Sequence, residues 1–220
     1  MKITHEMLAA KSACSEGKAW VRENLPDGAD YQDFLDALAA ADKPDWASWL
    51  LENFGPLPGA IKTLTEIPAG TKHIFAAGSL VLKCDTKVPG RIQAGAGIKA
   101  GSGIKAGDGI QAGDGIQAGY GIQAGDEIQA GRGIQAGWGI EAGWGIKAGE
   151  GIQAGCGIQA GRGIKTGSGI TAKLDISAGT RIFAGLINHR LPTEAERTVS
   201  CRKVVRGVLG TIESILKETK

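Results

Sequence analysis

Apolar and polar positions along this chain keep two different periods. From Ile92 to Ile182 isoleucine recurs at every sixth residue, and as far as Gly169 the phrase is Ile-x-Ala-Gly-x-Gly with almost no interruption. In such a phrase Ile and Ala point to one side and the x between them to the other. The x is mostly Gln or Lys, so one side is apolar and one polar. The Gly-x-Gly that follows predicts a bend, with Gly available for backbone angles other residues avoid. A strict short period of this kind predicts a β-solenoid, in which each phrase makes one strand and one corner. Ile74, Leu80 and Thr86 place the start of the six-residue spacing near residue 74.

Three such sides close a triangular coil of eighteen residues. Sorting the corner residues at that interval gives three unlike columns. One reads Cys84, Ser102, Tyr120, Trp138, Cys156, Leu174. A second reads Ala96, Asp114, Arg132, Glu150, Ser168, and a third Asp108, Asp126, Trp144, Arg162, Thr180. Column neighbours in stacked strands lie ~4.8 Å apart, within reach of stacking, ion pairing and cation–π contact. The eighteen-residue coil is therefore expected to place Tyr120 by Trp138, Arg132 between two acids, and Arg162 by Trp144. From Ile74 to Ile182 this predicts about six coils and a prism roughly 29 Å long. Gln ladders such as Gln117, Gln135 and Gln153 can bond along one face.

Residues 1–58 carry the helical period instead. Thr4 is placed to cap a first helix through Lys11, Ser15 a second through Asn24, and Asp30 a third with Tyr31, Phe34, Leu35 and Leu38 on one face. Asp42-Lys43-Pro44 predicts the start of a fourth, with Trp46, Trp49, Leu50 and Phe54 apolar and Gly55 as the stop. Trp20, Trp46 and Trp49 read as the core of this small domain. The expected organisation is a helical domain over 1–58, a parallel β-helix over 59–186 and a C-terminal cap over 187–220. In that cap Val199 to Ile212 is expected as a hairpin or small sheet and 213–220 as a tail. Phe75 and Phe183 replace the outward Gln or Lys at the two ends of the repeat, where a coil is expected to meet a cap.

The six-residue phrase resembles the hexapeptide repeats of left-handed parallel β-helices. It departs from them in placing the small inward residue two positions after the aliphatic one rather than four. A left-handed coil is the favoured expectation, with handedness open. Enzymes with such repeats are mostly acyltransferases that need a catalytic His. Here the repeat has no His: His5, His73 and His189 all lie outside it. Gly-x-Gly recurs without the lysine or strand-to-helix context of a phosphate loop. Thr171 is an isolated outward Thr, so no ice-binding Thr ladder is present. The four cysteines lack metal spacing and read as free thiols of a reducing cytoplasm. No metal or cofactor is expected, and no apolar run is long enough to span a membrane. A net charge of +2 argues against a dedicated nucleic-acid surface; Lys99, Lys105, Lys147 and Lys165 could touch a nucleic acid, but scattered lysines of this kind read first as solubilising.

Tyr120, Trp138 and Trp144 are the informative departures from the repeat. With Arg132, Arg162 and Lys147 they are expected to form a partner-binding patch, because Trp, Tyr and Arg dominate interface hot spots. The competing expectation is that they stack and stiffen the prism. Uncapped solenoid ends would invite a homodimer.

The phrases Ala13-Cys14-x-x-Gly17-x-x-Trp20, Pro26-Asp27-Gly28 and Asp45-Trp46-Ala47-x-Trp49-Leu50 resemble a small helical domain of phage and prophage proteins. Gly-rich hexapeptide-type repeats often follow that domain. Arg181-Ile182-Phe183-Ala184-Gly185-Leu186 resembles the closing phrase of such proteins. The resemblance transfers no catalytic residue. It implies an accessory protein in the host cytoplasm that binds a host protein or complex, such as a CRISPR-Cas defence complex, and blocks it by steric occlusion. A structural or self-assembling spacer is the alternative, and an acyltransferase-like enzyme the third.

Overall fold

In the computed structural model the period of six becomes a three-sided parallel β-helix behind a small helical domain. The structure describes residues 1–185, 193–194, 198–201 and 203–210. His189, Leu186, the 213–220 tail and most of the expected cap lie outside these residues.

Each Ile-x-Ala phrase is a three-residue strand, and each strand pairs in register with the one eighteen residues away. Ile110, for example, sits between Ile92 and Ile128. The faces are named here by their first repeat residue. The Ile74 face has rungs at Ile74, Ile92, Ile110, Ile128, Ile146, Ile164 and Ile182. The Leu80 face continues through Ile98, Ile116, Ile134, Ile152 and Ile170. The Thr86 face runs through Ile104, Ile122, Ile140, Ile158 and Ile176. The seven rungs from Ile74 to Ile182 bound the six coils expected there, and further strand at both ends brings the prism to about seven coils. Ile61–Leu64 precedes the Leu80 face, and Val199–Ser200 and Lys203–Gly210 follow the last full coil. Those two last strands pair in parallel with the preceding coil rather than with each other. The chain there continues the prism in place of the expected hairpin or separate small sheet.

The axis is filled by Ile and Ala, all nearly or fully buried from Ile74 to Ile182. Complete burial of one such Ile contributes about 2 kcal/mol, so the core is built from many equal small terms.

Glycine serves the corners for a reason other than the one expected. Positive φ occurs at Gly28, Gly55, Gly59, Gly70 and Gly185 and at none of the corner glycines of the repeat. What the first glycine of every corner but that of Gly101 lacks is room. A Cβ on Gly131 would lie 1.9 Å from the Gly113 carbonyl oxygen, and one on Gly143 1.8 Å from that of Gly125. The second glycine is less crowded: a Cβ on Gly133 would meet the Gly151 oxygen at 3.2 Å. From Gly107 to Gly167 the coils stack so closely at their corners that only a hydrogen fits at the first position.

The helical domain comprises α1 (His5–Ala10), α2 (Ser15–Asn24), α3 (Tyr31–Ala40) and α4 (Pro44–Phe54). The Thr4 hydroxyl caps α1 by accepting from Met7 N–H. The cap of α2 is Cys14, whose Sγ accepts from Gly17 N–H, one residue before the expected Ser15. Asp30 precedes α3 without a side-chain cap bond; its backbone pairs with Lys2 instead. Pro44 opens α4, and Gly55 ends it at φ 70°. Trp20 and Trp46 meet edge to face inside this domain, as do Trp49 and Phe54.

This domain lies against the first rungs of the Ile74 face. Phe75, at an outward position, is fully buried in the helical core, and Gln93 on the next rung accepts a bond from the Ser48 hydroxyl. Gln32 donates to the Phe75 carbonyl and accepts from Ala77 N–H. Lys62 stands one rung above Leu80, at an axial position, and its ammonium pairs with Asp36 and reaches the Phe75 carbonyl. A charge at an axial position closes this end of the apolar column. Thr65–Thr71 then runs without strand, carrying Pro68, with Ile67 packed on the core. Inward charge and proline are devices that stop strand edges from pairing further.

Candidate functional site

The three corner columns of the sequence are three physical edges. Backbone bonds tie each member to its neighbour: Trp138 N–H donates to the Tyr120 carbonyl, Arg132 N–H to that of Asp114, and Trp144 N–H to that of Asp126. Side chains follow. Tyr120 and Trp138 meet edge to face with ring centroids 5.8 Å apart. The Arg162 guanidinium lies 4.3 Å from the centre of the Trp144 ring. Arg132 Nε is 3.5 Å from Asp114 Oδ1, while no ion pair to Glu150 forms. Lys147 Nζ is 3.5 Å from Glu127 Oε1.

The six expected site residues therefore do not share one patch. The corner holding Tyr120 and Trp138 leads into the Thr86 face, and the corner holding Trp144 and Arg162 leads out of it. These four residues frame one face from its two sides. Arg132 is on the remaining edge, between the Ile74 and Leu80 faces, and so points away from it. Lys147 is on the Ile74 face, beside the Trp144 edge.

Exposure sharpens the contrast. Tyr120, Trp138 and Trp144 are 53%, 61% and 55% exposed, although Trp and Tyr usually bury most of their surface. Leu174 continues the Tyr120 edge, its N–H donating to the Cys156 carbonyl, and Val205 lies beside the last Thr86-face rung; both are exposed. Most of the large apolar side chains left in water among the described residues thus border one face. The outward row of that face reads Lys87, Lys105, Gln123, Glu141, Gln159 and Ser177, with Gln123 donating to Glu141. Trp138 stands in the wall of an open trough of about 760 Å³ along it. A trough of about 840 Å³ runs along the Leu80 face, but its wall holds no aromatic residue. Size does not separate the two faces; the aromatic frame does.

Sequence reasoning found the aromatic residues and missed which face they share. The signal was present: Trp138 and Trp144 are six residues apart with Ile140-Glu141-Ala142 between them. Leu174 and Val205 carried no such mark. Among the described residues no group of His, Cys, Asp or Glu is placed to hold a metal ion, and the four cysteines form no disulfide. No helix is long and apolar enough to cross a membrane.

Residues 1–54 match the family model of the YdhT N-terminal domain. The match ends with α4 and leaves the β-helix outside it. No curated protein and no solved structure matches the chain.

Proposed function

We propose that this chain is a non-enzymatic binding protein that presents the Thr86 face of a rigid prism to a protein partner. The observation that supports this most is the clustering of exposed Tyr120, Trp138, Trp144, Leu174 and Val205 around one face. Exposed aromatic residues cost solubility unless a partner covers them, and anchors of this kind dominate interface energies. The surroundings suit the role. In-register pairing holds the rungs, and each aromatic edge is fixed at its backbone by bonds to both neighbours, so little freedom is lost on docking.

Within this reading a host defence complex is the partner class we put forward. It rests on the resemblance of the helical domain and closing phrase to phage and prophage proteins. The action would be steric occlusion, carried out in the host cytoplasm. Capture of a partner by the tagged chain tests the binding role, with Trp138→Ala and Trp144→Ala combined as the probe. Retention is expected to fall at least tenfold. A Gln117→Ala, Gln135→Ala control on the Leu80 face should leave it unchanged. Equal loss from both double variants would remove the Thr86 face from the proposal.

A further inference from the structure

We infer that a second copy of this chain docks on the Thr86 face, antiparallel to the first, about a two-fold axis running between the Gln123 and Glu141 rungs. The inference rests on the reading of this face as a docking surface and names its occupant.

The edge that leaves the face carries the argument. It reads Asp108, Asp126, Trp144, Arg162, Thr180 along the stack, with two successive acids and, two rungs beyond the second, a cation. Among the described residues none of the three charged groups has an ion-pair partner; Arg162 has only the Trp144 ring. Two carboxylates stacked in adjacent rungs repel one another, and an external cation would relieve them. Such an edge is complementary to its own reverse.

Symmetry then fixes the pairing. Two identical faces can oppose each other about an axis across the rungs or along the prism. An axis along the prism keeps the rungs level and exchanges the two edges, so only the outward row in the floor meets its own copy: Lys87, Lys105 and Glu141 would each oppose the same charge. An axis across the rungs reverses them. Placed between Gln123 and Glu141, it sets Arg162 against the second copy's Asp108 and Trp144 against its Asp126. On the other edge Tyr120 meets the second copy's Trp138, which joins two edge-to-face pairs into one four-ring cluster. In the floor Glu141 meets Gln123, and Lys105 meets Gln159. Between the Lys105 and Gln159 rungs no like charges are opposed; at the two ends Asp85 meets the second copy's Asp175 and Lys83 its Lys173.

The area is sufficient for a weak dimer. Seven rungs give a face roughly 29 Å long, and six residues per side make it at most about 20 Å wide. Two copies would bury on the order of 1,000 Å² in all, the lower bound for a specific interface. The N-terminal end, with Lys62 at an axial position and Pro68 in the strand-free segment that follows, directs association to a face rather than to that end.

Sedimentation equilibrium of the full chain at roughly 100 μM, above the micromolar Kd of a small interface, tests this. The wild type should show twice its 22.6 kDa mass, falling toward the monomer at high salt. Arg162→Asp and Asp108→Arg should each weaken the dimer at least tenfold. The combined R162D/D108R chain should recover it, because the two charges have exchanged places across the axis. Both sites lie at corners away from the apolar axis, and circular dichroism would confirm that each variant folds. A wild-type monomer, a dimer untouched by either single change, or a double variant no tighter than the singles would each overturn the inference. A monomer that still captures a partner through Trp138 and Trp144 would leave the binding proposal standing and assign the face to that partner instead.

Discussion

Ala placed at Gly131 and Ala placed at Gly133 should behave quite differently, although the two glycines flank the same corner residue, Arg132. At Gly131 the new methyl would sit 1.9 Å from the Gly113 carbonyl oxygen. Ordinary contact needs about 3.2 Å or more, so the two coils must part there by over 1 Å. That separation breaks the bond from Gly131 N–H to the Ala112 carbonyl and strains the one from Arg132 N–H to Asp114, now 3.0 and 3.1 Å. Two bonds at ~1 kcal/mol each, with overpacking strain of ~1–3 kcal/mol, give a loss of about 3–5 kcal/mol. At Gly133 the nearest atom is the Gly151 oxygen at 3.2 Å, and φ is not positive. A slight shift accommodates the methyl there. The entropy removed from the unfolded chain offsets its cost, so the change should stay within about 1 kcal/mol. Urea denaturation followed by circular dichroism measures both. Two variants that unfold at the same midpoint would refute the account of why the first corner glycine is required.

Three further outcomes follow from the helical domain and its dock. Phe75→Ala removes a fully buried ring between the domain and the prism, and should cost about 3–5 kcal/mol and split unfolding into two transitions; one unchanged cooperative melt would contradict this. Tyr31→Phe deletes a hydroxyl that donates to the Leu50 and Gly55 carbonyls, at about 1–2 kcal/mol by thermal melting. Burial raises the Tyr31 phenol well above its ordinary pKa, so the wild type should lose stability as pH climbs past the ordinary phenol range, and the Phe variant should lack that alkaline limb. Hydrogen bonds from Lys72 and then His73 lower the Asp42 carboxyl, so its contribution is present above the ordinary carboxylate pKa and fades as pH falls below it; Asp42→Asn should flatten that acid limb in a pH series of melts.

Much of the fold was legible because the repeat states the same physical choice many times. Ile inward, Ala inward and a corner every six residues leave few ways to close a coil, and columns eighteen apart showed the number of sides. The helices were legible from Tyr31, Phe34, Leu35 and Leu38 at helical spacing and from Thr4 and Pro44 at their starts. Other features depended on contacts between distant residues. Gln93 looks like every other outward Gln, yet Ser48 covers it. The need for glycine at Gly131 comes from the carbonyl of Gly113, a packing fact rather than a local backbone preference. The cap of α2 is Cys14 rather than Ser15, because the helix starts one residue earlier and brings the weakly accepting Cys14 Sγ to the Gly17 N–H. The candidate site was half legible. Spacing paired Tyr120 with Trp138 and Trp144 with Arg162, but grouping them with Arg132 overlooked that a triangular coil sends its three corners in three directions.

Hydroxyl-radical footprinting of the full chain, free and in complex with whatever it binds, tests the role of the Thr86 face most directly. Tyr120, Trp138 and Trp144 are all exposed in the single chain, so in the free protein, held well below the concentration at which it dimerises, they should be oxidised readily. In the complex all three should be protected together, while exposed Ile61, on the first rung of the Leu80 face, keeps its reactivity. A complex in which the three aromatics are oxidised as fast as in the free chain would contradict the assignment of this face as the docking surface.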